Sequence, residues 1–162
     1  MIERMMADHA KLRTCADRLE ALLASGTMPD PDALADARWT LGSTMMQHLA
    51  FEERHLYAVL REDPRGHVRV VAAEFHDQLA SSFGPYADHA KQWTPERVAE
   101  SWDIYREQTR TLIETMRLRM AREEKELYPL VQQNGIDTRQ SGVPSRNWAR
   151  EAFAIKERIG RR

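Results

Sequence analysis

The chain has 162 residues, of which 24 are lysine or arginine and 25 are aspartate or glutamate, so its formal net charge is −1. This balance argues against proteins that bind nucleic acids or membrane surfaces, because both need a basic surplus on at least one face. A single cysteine excludes an internal disulfide and favours a reducing, cytoplasmic compartment. No apolar run approaches the roughly 20 residues that span a bilayer, and few glycines and prolines favour an all-α protein.

Helical spacing of apolar residues predicts two helices in the first part of the chain. The first covers about residues 2–24, and the segment 26–29 breaks it. The second begins at Asp30-Pro31, where an N-cap residue precedes a proline at the first helical position. It ends before the strong turn signal of residues 63–66.

Two further helices and a short tail follow. The third begins near Val68, and Gly84-Pro85 should kink it or end it near Phe83, because proline removes a backbone donor. The fourth begins at Thr94-Pro95 and runs to about residue 133, before Asn134-Gly135. Four long helices with short connections predict an up-down-up-down bundle over residues 1–133. A loop and a short helical extension are expected over residues 134–162.

Charged residues interrupt the apolar stripes of all four predicted helices at positions that face the core. They are His9 on the first helix, His48, Glu52 and His55 on the second, His76 on the third, and Arg119, Glu123 and Glu126 on the fourth. An isolated buried charge is costly, so such groups must pair, change protonation state or bind a metal. Imidazole and carboxylate groups from facing helices commonly build an iron or manganese site inside a bundle.

A weak internal repeat relates the second predicted helix to the fourth. The segment HLAFEERHLYAVL, residues 48–60, aligns with RMAREEKELYPLV, residues 119–131, so that a Glu-Glu pair and a Leu-Tyr pair coincide. Helices two and four run parallel in an up-down bundle, which brings the aligned positions into the same layers. The expected neighbours are His48 with Arg119, Glu52 with Glu123, and His55 with Glu126.

Four successive helices therefore carry a histidine, a His-x-x-x-Glu-Glu run, another histidine and a Glu-Glu-x-x-Leu-Tyr-Pro run. These are His9, the run from His48 to Tyr57, His76, and the run from Glu123 to Pro129. This order resembles the hemerythrin-like family of cation-binding four-helix proteins over about residues 1–133. The resemblance implies a non-haem di-iron site, with His9, His48 and His76 as histidine ligands and with Glu52 and Glu123 as bridging carboxylates.

Arg119 departs from the family pattern, in which the fourth helix again carries His-x-x-x-Glu. Arginine stays protonated and has no lone pair to offer a metal, and its charge weakens the binding of nearby cations. Two hypotheses follow. Either iron is retained, as an altered pair or a single ion, or the protein is metal-free and Arg119 neutralises Glu52 and Glu123 in a buried cluster.

His55 and Glu126 lie one turn further along the same stripes. The simplest interpretation is a pair between them. The alternative is a shifted metal site that uses Glu52, His55, Glu123 and Glu126, closer to the carboxylate-rich arrangement of ferritin-like bundles. His67 and His89 are expected at the surface.

The resemblance implies a small non-enzymatic protein that binds iron and senses or carries oxygen, nitric oxide or iron status. No nucleic-acid or membrane partner is expected. The competing hypothesis is a metal-free interaction or regulatory module, and a third is a carboxylate-bridged oxidase or peroxidase that uses the His55 layer. The apolar side of the tail, with Trp148, Phe153 and Ile155, is expected to cap the bundle or to recruit a protein partner.

Overall fold

The computed structural model describes residues 1–144 and 146–159, and it contains helices and turns but no strand among these residues. The described residues form six helices: α1 (Ile2–Leu23), α2 (residues 31–60), α3 (Gly66–Gln92), α4 (Pro95–Glu100), α5 (residues 102–133) and α6 (Trp148–Ile159). The predicted all-α class is confirmed. Ser145 and the last three residues of the predicted extension lie outside the described residues.

Helices α2 and α5 are each interrupted by one wider, π-helical turn. In α2 the turn Glu53–Tyr57 lies between Pro31–Glu52 and Ala58–Leu60. In α5 the turn Glu123–Leu127 lies between Trp102–Arg122 and Tyr128–Gln133. Both turns fall at the Glu-Glu pairs of the internal repeat, so the two halves of that repeat share a local structure as well as a sequence pattern.

Side-chain caps start the helices where the sequence predicts them. The Asp30 carboxylate accepts a hydrogen bond from the Ala33 N–H at 2.9 Å, and the Thr94 hydroxyl oxygen accepts one from the Arg97 N–H. Each cap is followed by a proline, whose missing N–H costs nothing in the first turn. These contacts satisfy donors that would otherwise be left unpaired at a helix start.

The structure decides one open alternative and corrects one predicted helix. Of the kink or end expected at Gly84-Pro85, the end near Phe83 is excluded, because α3 continues through Pro85 to Gln92. Pro85 is exposed, and its missing N–H removes one backbone hydrogen bond from α3. Phe83 and Ala90, each 3% exposed, pack in the core on either side of it. The predicted fourth helix is instead divided at Ser101, whose backbone leaves the helical region (φ −138°, ψ 49°).

The C-terminal segment completes the core of the bundle. Trp148, Ile155 and Ile159 belong to the same apolar cluster as residues of α2, α3 and α5, and Arg146 lies over the rings of Phe83 and Trp148. Phe153 remains 63% exposed. No described helix combines the length and the apolar character needed to cross a membrane.

Candidate metal centre

Two histidines and two glutamates from three helices meet in the core. They are His9 on α1, His48 and Glu52 on α2, and Glu123 on α5. Each offers one ligand atom, and these atoms all lie within 4.8 Å of one another. The group is enclosed by protein, because its most exposed member, His48, is only 4% accessible.

The distances within this group fit a metal ion. His9 Nε2 lies 3.1 Å from His48 Nε2 and 3.2 Å from Glu123 Oε2, and His48 Nε2 lies 3.5 Å from Glu52 Oε2. Two ligand atoms that bind one ion at about 2.1 Å and at a right angle are about 3 Å apart. Glu52 Oε2 is buried without a hydrogen-bond partner, which leaves it available as a ligand. The residues present therefore fit one ion.

Glu124 orients the imidazole of His9. Its Oε1 lies 2.8 Å from His9 Nδ1 and 2.9 Å from Arg13, so His9 donates its Nδ1–H outward and directs Nε2 into the group. A carboxylate behind a ligating histidine commonly fixes the tautomer in this way. Burial acts to lower the pKa of His9, but the hydrogen bond to Glu123 and the charges of Glu123 and Glu52 raise it.

The other two ligand candidates from α2 are neutral near pH 7. Burial, followed by the charge of Glu123, raises the pKa of Glu52 to about 8, and the Tyr128 hydroxyl donates to Glu52 Oε1 at 3.0 Å. Burial, followed by the charge of His9, lowers the pKa of His48 to about 4. A neutral imidazole keeps the lone pair that a metal needs.

Arg119 forms an ion pair with Glu123 Oε1 and is 15% exposed at its side chain. Its Nη2 also donates to the Tyr57 hydroxyl at 3.0 Å. The expected contact between Arg119 and an inward carboxylate is therefore present for Glu123. Arg119 acts on Glu52 through its charge, which opposes the rise in the pKa of that carboxyl.

Glu53 and Glu124 are polar residues of the site that the sequence reasoning did not single out. Glu53 is fully buried beside Glu52, and Glu124 contacts His9. A π-helical turn changes the angular spacing of the side chains, and such turns are frequent at functional sites. The Glu-Glu pairs of the internal repeat, Glu52-Glu53 and Glu123-Glu124, were the sequence feature that could have identified these two residues.

The model of the hemerythrin HHE cation binding domain matches residues 1–131. The chain belongs to the hemerythrin family. The match covers α1 to α4 and most of α5, and it leaves the C-terminal segment outside. No curated protein and no solved structure matches the chain.

His76, which the likeness to hemerythrins implied as a ligand, lies outside the group of four. Its Nε2 is 2.8 Å from Glu53 Oε2, its ring is 5.1 Å from that of Tyr57, and its side chain is 31% exposed. The structure pairs His76 with the second glutamate of the α2 pair, so this histidine does not join His9 and His48.

The expected pair between His55 and Glu126 is wrong, and so is a shifted metal site that includes them. His55 Nδ1 lies 3.2 Å from Ser141 Oγ, and Glu126 pairs with Arg122 at 2.9 Å. Both residues lie within the π-helical turns, whose wider spacing rotates them away from the stripe that a regular α-helix would continue.

Of the two histidines expected at the surface, His67 is exposed, as predicted. His89 is half-buried, with Nε2 3.1 Å from Thr109 Oγ1. The prediction for His89 is wrong because α3 continues past Pro85 and carries this residue against α5.

Proposed function

We propose that this member of the hemerythrin family binds one non-haem iron ion through His9, His48, Glu52 and Glu123. The observation that supports it is the meeting of four buried donor atoms within 4.8 Å. Two imidazoles and two carboxylates suit iron, and also manganese. Among the described residues, His76 and Arg119 do not complete a second set, because His76 contacts Glu53 and Arg119 carries a fixed positive charge.

Bound iron would supply redox chemistry and a coordination position for a diatomic ligand such as dioxygen or nitric oxide. The protein contributes the environment: Glu124 keeps His9 Nε2 directed inward, Tyr128 holds Glu52 by a hydrogen bond, and the surrounding core excludes water. The four side chains are 0–4% exposed, which suits a diatomic ligand better than a larger substrate.

These features favour a cytoplasmic sensor or regulator of oxygen, nitric oxide or iron status over an enzyme. We further propose that the four long helices follow the up-down-up-down order. Helix α6 would present the exposed Phe153 to a protein partner, because its large apolar residues Trp148, Ile155 and Ile159 are already used in the core.

Elemental analysis after anaerobic reconstitution with ferrous iron tests the proposal. We expect about one iron per chain and an optical spectrum that changes on exposure to nitric oxide. His48→Ala should abolish binding, whereas the matched substitution of an exposed histidine, His67→Ala, should leave it unchanged. Two irons per chain would overturn the single-ion site, and no iron under any condition would overturn metal binding itself.

A metal-free regulatory module is the second candidate, and it is supported by the ion pair between Arg119 and Glu123. In that form Arg119 and a charged His9 neutralise Glu123 and Glu124, while Glu52 stays protonated. The bundle would then act through its surface. Failure of the parent protein to take up iron, together with a cooperative unfolding transition, would favour this candidate.

A further inference from the structure

A cavity of about 110 Å³ extends through the bundle away from the candidate metal centre. Its middle is lined by apolar side chains from four helices: Leu12, Leu41, Met45, Leu79, Ile113 and Met116. His48 and Glu123 lie at one end, and Arg38 and Tyr86 lie at the other. Arg38 and His48 are ten residues apart on α2, which corresponds to about 15 Å along the helix. The cavity is therefore long and narrow.

Arg38 is a buried cation at the far end of this cavity. It is 7% exposed, its Nη2 donates to the Trp93 carbonyl oxygen at 2.8 Å, and its guanidinium lies 5.3 Å from the centre of the Tyr105 ring. No carboxylate of the described chain lies within ion-pair distance of it. A guanidinium has five N–H donors, and a buried charge without a counter-charge is costly.

Tyr86 places a hydroxyl group at the same end. A side-chain carbon at position 42 would lie 2.4 Å from the Tyr86 hydroxyl oxygen, so Gly42 provides the space for it. Within the described residues this hydroxyl has no hydrogen-bond partner. Tyr86 therefore offers a donor that no neighbouring group uses.

His89 adds no second charge to this end of the cavity. Burial, followed by the charge of Arg38, lowers the pKa of His89 to about 4, so its ring is neutral near pH 7. The Thr109 hydroxyl donates to the Tyr105 carbonyl oxygen at 2.7 Å, so it accepts from His89 Nε2–H at 3.1 Å. This end of the cavity keeps an uncompensated positive charge.

We propose that this cavity is a binding site for a short, unbranched monocarboxylate, with its carboxylate on Arg38 and Tyr86 and its alkyl chain between the apolar walls. A carboxylate matches the two-pronged geometry of a guanidinium, and burial of the chain supplies the hydrophobic contribution. The carboxylate would bind at the end of the cavity that lies away from the proposed iron ligands His48 and Glu123, so its binding does not depend on iron.

The volume limits the size of the ligand. A cavity of about 150 Å³ holds benzene, which has six non-hydrogen atoms, so 110 Å³ admits a ligand of at most about that size, and the narrow shape favours a chain over a ring. Butyrate also has about six non-hydrogen atoms, so an acid of about four carbons fits beside Arg38. Exposed Thr115 and half-buried Ser82 mark an opening between α3 and α5.

Calorimetric titration of the metal-free protein with propionate, butyrate and hexanoate tests this proposal. We expect one butyrate per chain, bound at least tenfold more tightly than 1-butanol, which lacks the charge. Arg38→Gln should remove that preference, whereas Arg54→Gln, an exposed arginine on the same helix, should retain it. Iron-loaded protein should bind butyrate as the metal-free protein does, so this test succeeds or fails independently of iron binding.

Tyr86→Phe provides a second test if Arg38→Gln does not fold. It removes one hydroxyl at nearly constant volume and should weaken butyrate binding several-fold while leaving 1-butanol binding unchanged. Equal affinity of the parent for butyrate and 1-butanol would show an apolar cavity only and would overturn the proposal. Absence of butyrate binding, or full retention of carboxylate preference in a folded Arg38→Gln protein, would also overturn it.

Discussion

Glu123 contacts His9 through Oε2 at 3.2 Å and Arg119 through Oε1. One carboxylate thus connects a candidate metal ligand to an arginine that cannot ligate a metal. Both partners stabilise the ionised form of this carboxyl and, against the effect of burial, lower its pKa. The availability of Glu123 to iron therefore depends on how strongly Arg119 holds it.

Arg119→Leu should destabilise the metal-free protein by about 3 kcal/mol, because it leaves the Glu123 carboxylate buried without its ion pair. Urea unfolding at pH 7 measures the change. Arg117→Leu is the matched control on the same helix, since Arg117 pairs with Asp17 and Glu20 at the surface and should cost less than about 1 kcal/mol. Equal losses in the two variants would contradict the buried role of Arg119.

His76→Ala should leave the iron content unchanged if the site holds a single ion, because His76 contacts Glu53 rather than the group of four. Elemental analysis of the reconstituted variant provides the measurement, with His9→Ala as the variant that loses iron. A drop in iron content of His76→Ala to that of His9→Ala would show that His76 is a ligand.

Glu124→Gln should weaken iron binding by about tenfold. The substitution removes a carboxylate that orients the His9 ring and makes it a more basic ligand. Competition with a coloured ferrous chelator measures the affinity. Glu126→Gln is a suitable control, since Glu126 pairs with Arg122 at the surface. An iron affinity equal to that of the parent in both variants would show that the contact between Glu124 and His9 does not contribute to iron binding.

His89 should make the protein less stable in acid. Because its pKa falls from 6.5 to about 4 on folding, the unfolded chain binds more protons between those values. Stability is thus lost as the pH falls from about 6.5 to about 4, and the loss then levels off.

His89→Gln should remove this part of the pH dependence, a difference of about 3 kcal/mol between pH 7 and pH 4. The free energy of unfolding in urea, measured at several pH values, gives the comparison. His67→Gln, which changes an exposed histidine, should follow the parent protein. An unchanged pH dependence in His89→Gln would mean that folding does not lower the pKa of His89.

The sequence alone determined the helical class, the capped starts at Asp30 and Thr94, and the burial of four polar residues in the core. Regular apolar spacing identifies an inward face when the helix is regular, which explains why His9, His48, Glu52 and Glu123 were placed correctly on inward faces. Turn and cap residues act through neighbours in the chain, so their effect is visible without any tertiary contact.

Only the tertiary structure decided which polar residues meet. The two π-helical turns rotate His55 and Glu126 outward and turn Glu53 toward His76, and a pattern that assumes a constant 100° per residue does not contain this change. Likewise, Arg38 and Tyr86 come from different helices and meet only after the bundle packs. The physical reason is that spacing assigns a face to each residue, whereas packing between helices assigns its partner.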